Sequence, residues 1–204
     1  EEDKKPLKVW GRDRFMPTNF AFLDDGGFLL VDGYGAFVVH RFDKNGKWLS
    51  HFGGAGGGEG KFNTPHGIWI DNRAGRTPSI VVCDRANHTL QYFSMDGKHL
   101  RYLHDGLRMP CHLHYNSKRE MLVPDLESVV TVLDHDNHPI VHLGDGHPSS
   151  LRNAPREKFI PGKFVHPHAA MAARGQEALA GGKAQRFGAV HAAGAGETMV
   201  PSGR

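Results

Sequence analysis

The sequence predicts an all-β protein built from four-stranded repeats. A proline followed by a short apolar segment recurs along the 204 residues at intervals of roughly 50. After each of the first three recurrences come further short runs rich in β-branched and aromatic residues, separated by Gly, Asn and Asp. Before residue 168 no segment has the length and periodicity of an ordinary helix. These three observations favour a repeat architecture made of strands.

The strands of each repeat follow one order. First strands begin at a proline and are predicted at 17–22, 65–70, 110–115 and 167–171. Second strands end at an aspartate and are predicted at 28–32, 80–84 and 121–125. Third strands at 38–42, 90–93 and 129–133 are each joined by an Asp/Asn/Gly turn to fourth strands at 47–49, 98–100 and 140–143. Residues 9–11 resemble the last strand of a preceding repeat.

Four strands in each repeat of about 40 to 50 residues are typical of a β-propeller blade. The chain holds about three such blades and the start of another, whereas closed propellers have roughly 4 to 8. We therefore predict a partial β-propeller over residues 1–168, part of a longer protein because an open set of blades exposes strand edges. A sandwich of four-stranded repeats, or a chance alignment of turns, is the alternative.

The composition changes after His168. From residue 169 to residue 204 Ala and Gly dominate and no strand pattern is visible. We expect this segment to be a tail that is disordered or foreign to the repeats. A short helix over residues 169–180 is the alternative on helix propensity alone.

Composition also excludes several functional classes. No apolar run approaches the ~20 residues of a membrane span. Two cysteines cannot build a disulfide framework, and a net charge of +3 without a basic cluster argues against nucleic-acid binding. The glycine run 53–61 is not a phosphate loop, because Phe62 stands where a Ser or Thr must bind Mg²⁺. It is predicted to connect two blades.

The chain's 15 histidines suggest metal binding or proton transfer. His66 and His168 each follow a proline at the start of a first strand, a place that faces the central channel of a propeller. Imidazoles there could hold Zn²⁺ with one coordination position open, and a third ligand would come from a blade outside this chain. Alternatively, Pro-His is only a tolerated dipeptide at the start of a strand.

Two further candidates follow the aspartates that end second strands. Tyr34 comes after Asp32-Gly33 and could act as a base near a metal, while Arg85 follows Asp84 and could hold a carboxylate. The structural alternative is that these aspartates cap turns and that Tyr34 packs on a neighbouring blade.

The remaining candidates are weaker. His112 and His166 are candidates for lining the channel, and Cys83 and Cys111 are predicted to be buried free thiols.

The runs 61–68, 83–87 and 90–93 resemble an NHL repeat. Over residues 10–168, the ordered series Pro-Thr, Asp-Gly-Tyr, Pro-His-Gly, Asp-Arg-x-Asn and Pro-His resembles the NHL-type six-bladed propeller of the peptidyl-α-hydroxyglycine α-amidating lyases. The resemblance implies cleavage of a small peptide-like substrate to a peptide amide and glyoxylate, with a zinc ion held by three channel histidines. It implies that His66 and His168 are two of these ligands, that Tyr34 is the catalytic base and that Arg85 belongs to the site. It also suggests a secreted or periplasmic protein.

The chain departs from that family at several places. The family's first zinc histidine and its arginine for the substrate carboxylate belong to blades that would precede residue 1. Ala169 replaces an aspartate on a structural Ca²⁺, which puts that ion in doubt, and His166 replaces a methionine. We therefore expect the chain alone to be inactive and its longer parent to be a zinc-dependent C–N lyase.

Two other functions stay open on the sequence. One is a non-catalytic propeller that binds a peptide, a glycan or a protein partner. The other is a zinc-dependent lyase or hydrolase that acts on a different small substrate.

Overall fold

The computed structural model describes residues 15–146, 150–161 and 163–172. The chain divides into two compact units, residues 1–104 and residues 105–204. In its described parts the first unit contains two four-stranded sheets and the second contains one. No described helix is long and apolar enough to cross a membrane.

Each sheet is an antiparallel meander in which strands adjacent in sequence pair with each other. The first sheet comprises β1 (Asn19–Phe22), β2 (Phe28–Asp32), β3 (Val38–Phe42) and β4 (Trp48–Gly53). The second comprises β5 (Pro65–Asp71), β6 (Ser79–Asp84), β7 (Thr89–Phe93) and β8 (His99–Leu103). The third comprises β9 (His114–Tyr115), β10 (Met121–Asp125), β11 (Val129–Leu133) and β12 (Pro139–Leu143). Short 3₁₀ turns span Arg85–Asn87 and Arg156–Lys158. The predicted all-β class and its three blades are confirmed.

The first strands differ most from the prediction. In the third sheet the predicted strand 110–115 shortens to the two residues of β9, preceded by an isolated bridge between Pro110 and Asp125. The predicted strand 167–171 forms no strand in the part of the chain that the structure describes. A strand needs a paired neighbour, and the second and third strands of that fourth repeat are missing from the sequence pattern.

The predicted strand at 9–11 lies outside the described residues, and so do residues 173–204 of the predicted tail. Residues 169–172 are described and form no helix. Ala170 is fully buried against Leu122, Val130 and Val132, in the hydrophobic core of the second unit. The chain therefore still packs on its own sheet two residues beyond His168.

The predicted hairpin turns are confirmed. Between β3 and β4 the Gly46 N–H donates to the Asp43 carbonyl, and Gly46 has a φ of 78°. The Asp43 carboxylate accepts hydrogen bonds from the N–H groups of Asn45 and Lys47 at 2.9 and 2.8 Å. In the third sheet Asn137 takes the position of Gly46, with a φ of 70°. Asn tolerates this left-handed conformation better than other residues that carry a Cβ atom.

The core of the first unit lies between its two sheets. The buried apolar residues there come from the inward faces of β2, β3, β5, β6 and β7 and from the loops beside them: Leu23, Leu29, Val31, Phe37, Val39, Phe62, Ile68, Ile80, Val82 and Phe93. Strand β6 is buried along its whole length, which explains why its sequence is almost continuously apolar. This packing holds the start of β5 against the turn that follows β2.

Candidate active site

A buried aspartate at the end of the second strand fixes the segment that precedes the first strand in all three sheets. Asp32, Asp84 and Asp125 are each fully buried. Their carboxylates accept hydrogen bonds, each of 2.7 Å, from backbone N–H groups one or two residues before the proline: Met16, Asn63, and Arg108 with Met109. Asp32 and Asp125 also cap the next turn, through the N–H groups of Ala36 and Glu127. We call this arrangement the aspartate clamp.

The clamp gives the residue after each proline an equivalent place, which we call the strand-start position. Pro65 pairs with Asp84, and Pro110 pairs with Asp125 in the same antiparallel sense. The strand-start position is therefore occupied by His66 in the second sheet and by Cys111 in the third. In the first sheet Thr18 holds it.

Three of the predicted site residues lie together in the first unit. His66 is 4% exposed, and its ring meets the Tyr34 ring edge-on, with the two centroids 5.8 Å apart. Arg85 donates a hydrogen bond from Nη1 to the Tyr34 hydroxyl oxygen at 3.0 Å, and its Cζ lies 5.2 Å from the Tyr34 ring centroid. Residues far apart in sequence thus form one cluster of a phenol, a guanidinium and an imidazole.

A register shift between Pro65 and Ile68 sets the direction of His66. The pairing partners of these two residues are Asp84 and Val82, so β5 places His66 and Gly67 opposite the single residue Cys83 and carries one extra residue. Such bulges re-aim side chains beside functional sites. Here the irregularity coincides with the imidazole that meets Tyr34.

Gly33 allows Tyr34 to approach the start of β5. A Cβ atom at Gly33 would lie 1.8 Å from the Pro65 carbonyl oxygen and 2.7 Å from the Thr18 side chain. The Thr18 hydroxyl donates to that same carbonyl at 3.2 Å. Only glycine permits this close backbone contact, which places the next residue, Tyr34, against His66.

The 3₁₀ turn after β6 positions Arg85. Asn87 donates from its side chain to the Asp84 carboxylate at 2.7 Å, and Gln91 donates to the same oxygen at 2.8 Å. Burial raises the pKa of Asp84, although the hydrogen bonds from Asn63, Asn87 and Gln91 act in the opposite direction. The guanidinium that this turn presents stabilises negative charge on the phenolic oxygen it contacts.

The second unit brings together a different set of side chains. Cys111 is fully buried, and its Sγ and a ring nitrogen of His168 lie within 4.8 Å of each other. His112 lies close enough to His168 for their charges to interact. Burial, and to a smaller extent the charges of His114 and His168, lower the pKa of His112 to about 4. His112 is therefore neutral at physiological pH.

Residues 163–168 are held by the turn between β10 and β11. The Ser128 hydroxyl donates to the Val165 carbonyl, and His166 Nδ1 donates to the Leu126 carbonyl, both at 2.8 Å. His166 is therefore held by the backbone at this turn. These contacts fix the two residues that lead into Pro167 and His168.

Sequence reasoning identified Tyr34, His66 and Arg85, and the structure brings these three together. The predicted meeting of His66 with His168 stays a prediction, because the two residues belong to different units. Cys83 and Cys111 are both buried thiols outside any disulfide, as expected. The sequence reasoning missed Cys111 as a potential ligand. The alignment of Pro110-Cys111 with Pro65-His66 in the repeat could have identified it.

No protein-family model matches the chain. Among solved structures, it is similar to a catalytically inactive histidine-to-alanine variant of virginiamycin B lyase from Staphylococcus aureus with quinupristin, at 14% identity and a TM-score of 0.51. That match covers 71% of this chain and 45% of the lyase. A protein of unknown function from Bacteroides caccae matches 62% of the chain and 45% of its own length, at 14% identity and a TM-score of 0.43.

The chain thus spans less than half the length of the solved structures it resembles. At these identities the likeness concerns the fold alone. Together with the three antiparallel meanders, it shows that the chain has the fold of a partial β-propeller.

Proposed function

We propose that the complete protein containing this chain is a zinc-dependent lyase that cleaves the C–N bond of a peptidyl-α-hydroxyglycine, giving a peptide amide and glyoxylate. The observation that carries the proposal is the cluster of Tyr34, His66 and Arg85, the residues to which the family resemblance assigns these roles. Virginiamycin B lyase, which is similar in fold, is by name also a lyase. The resemblance further implies secretion to the periplasm or outside the cell.

The donor chemistry of the chain fits a zinc ion. His66 offers a buried imidazole, and His168 offers another beside the buried thiol of Cys111. Nitrogen and sulfur donors are the ligands that Zn²⁺ prefers, and we propose His66 and His168 as two of them. When bound, zinc makes a coordinated hydroxyl group more acidic.

The other steps belong to the side chains in the first unit. Tyr34 acts as a phenolate, whose negative charge the Arg85 N–H donor stabilises, and its oxygen takes the proton of the substrate α-hydroxyl. The electron pair of the O–H bond forms the aldehyde C=O of glyoxylate. At the same time the C–N bond breaks, and the electrons of the C–N bond pass to the amide nitrogen. Tyr34 returns the proton to this nitrogen, so that protons and electrons balance.

The proposal predicts that the complete protein binds zinc stoichiometrically and releases glyoxylate from α-hydroxyhippurate. Tyr34→Phe should lower kcat by at least ~10²-fold, because it removes the proton acceptor, while zinc content stays unchanged. Arg85→Lys should lower kcat less, because one donor to the phenolic oxygen can remain. Tyr102→Phe is the matched control: Tyr102 lies on β8 and its ring contacts His99 and His104.

Glyoxylate release that survives Tyr34→Phe would contradict the assignment of the base. A complete protein that neither binds zinc nor releases glyoxylate would contradict the lyase, and a non-catalytic binding propeller predicts both of these results.

A further inference from the structure

We propose that Cys111 is a metal ligand and that its thiolate binds the same zinc ion as His168. The inference rests on the proposed function for the presence of zinc, but it changes the composition of the site. The resemblance implies an all-histidine site, whereas the geometry of the second unit points to a mixed set of cysteine and histidine ligands.

The first support for the inference is the position of Cys111 in the repeat. Cys111 holds in the third sheet the strand-start position that His66 holds in the second. The Asp125 clamp on Arg108 and Met109 matches the Asp84 clamp on Asn63. The same aspartate clamp therefore positions the backbone that carries both side chains.

The distance to His168 supports it further. Ligand atoms at ~2.1 Å and ~2.3 Å from a tetrahedral zinc lie roughly 3.6 Å apart. The Cys111 sulfur and the His168 nitrogen already lie within 4.8 Å, so small rotations of the two side chains suffice to bind one ion. The hydrogen bonds of Val165 and His166 to the β10–β11 turn hold the backbone next to His168 in place.

The other cysteine shows that burial alone does not create such a pair. Cys83 is also fully buried, but it lies within β6 opposite Leu90 of β7. Among the described residues it belongs to no group of potential metal ligands. Cys83 is therefore a matched control for Cys111.

A thiolate has a clear chemical consequence at this site. The thiol loses its proton when the metal binds, so metal affinity depends on pH and one proton is released. The anionic sulfur also neutralises part of the ion's charge inside a buried environment, where an isolated charge is costly. An imidazole ligand supplies no such compensation.

The test is cobalt substitution in the complete protein, because Co²⁺ bound to a thiolate gives an intense charge-transfer band in the near ultraviolet. The wild type and Cys83→Ser should show this band. Cys111→Ser should lose it and bind the metal more than ~10-fold more weakly. Cys111→His restores a nitrogen donor, so it should recover affinity without the band, and far-ultraviolet circular dichroism checks that each variant is folded.

The possible failures are distinguishable. Stoichiometric cobalt without a charge-transfer band, or a band that persists in Cys111→Ser, would overturn the thiolate ligand and leave the zinc lyase standing. A folded wild type that binds no cobalt and no zinc would overturn both proposals.

Discussion

The second and third sheets share a strand order but differ at the edge where the site residues lie. Strand β5 has seven residues and pairs with β6 over most of its length, whereas β9 has two. In both sheets the clamp holds the segment before the proline, through Asp84 and Asp125. One buried carboxylate thus sets the backbone at the strand start in both sheets, while the length of the strand that follows varies.

The turns between the first and second strands differ as well. After β5, the Arg73 guanidinium makes two 2.8 Å hydrogen bonds to Asp71, and both side chains are almost fully buried. After β9, Asn116 and Glu120 form a buried pair, in which the Asn116 side chain donates to Glu120 at 2.7 Å. The turn of the second sheet therefore depends on a charged pair, and that of the third depends on a neutral donor and a carboxylate.

The largest effect should come from breaking the charged pair. Arg73→Met leaves the Asp71 carboxylate without its main partner and should cost ~3–5 kcal/mol of unfolding free energy at pH 7. Arg76→Met is the control, because Arg76 is partly exposed and lies 3.8 Å from Asp71. Urea unfolding of both variants measures the difference.

The same pair predicts a pH dependence. Burial acts to raise the pKa of Asp71, but its hydrogen bonds and ion pair with Arg73 outweigh this and lower the pKa below the ordinary value of 3.8. A carboxyl pKa that is lower in the folded state stabilises the fold at pH values above the pKa of the unfolded state. This stabilisation is lost as the pH falls through the pKa of the folded state. The cost of Arg73→Met should thus shrink as the pH falls below 3.8 toward the lowered pKa of the folded state. A cost independent of pH would contradict this account.

A smaller loss should follow removal of the clamp in the third sheet. Asp125→Ala leaves the N–H groups of Arg108 and Met109 without their acceptor and should cost ~1–3 kcal/mol. Asp134→Ala is the control, since Asp134 also accepts two backbone hydrogen bonds but lies in an exposed turn. Hydrogen exchange should speed up at Arg108 and Met109 only in the first variant. Unchanged exchange there would refute the role of the clamp.

The smallest effect concerns the hairpin turns. Gly46 and Asn137 occupy equivalent left-handed positions in the first and third sheets, with φ values of 78° and 70°. Gly46→Ala should cost ~1 kcal/mol because Ala resists this conformation, whereas Gly46→Asn should cost less than half as much. A Cβ atom at Gly46 meets nothing within 4 Å, so thermal unfolding of the two variants isolates the backbone effect. Equal losses of stability in Gly46→Ala and Gly46→Asn would contradict the explanation that Asn137 replaces Gly46 because Asn tolerates the left-handed conformation.

Much of the fold followed from local sequence. Strands β2, β3, β10 and β11 have the predicted bounds, because alternating or continuous apolar residues and Asp, Asn and Gly turns define them without long-range information. Strands β4 and β8 extend beyond the prediction to Gly53 and Leu103. Their polar outer residues join the sheet through pairing with the neighbouring strand, which a propensity pattern does not contain.

The candidate site was only partly predictable. Repeat alignment identified His66, and the family resemblance supplied the roles of Tyr34 and Arg85. The contact between Tyr34 and His66 depends on the close backbone approach at Gly33, which only the three-dimensional packing reveals. Cys111 was missed because its residue type suggested a core thiol, although its place in the repeat pointed to a ligand.

Thr18, His66 and Cys111 carry a hydroxyl, an imidazole and a thiol on one recurring backbone geometry. Because the aspartate clamp holds the backbone before the proline and not these side chains, three different chemical groups occupy the same place in the repeat. Copying a blade and then changing a single codon would therefore place a new functional group on a backbone that is already in position.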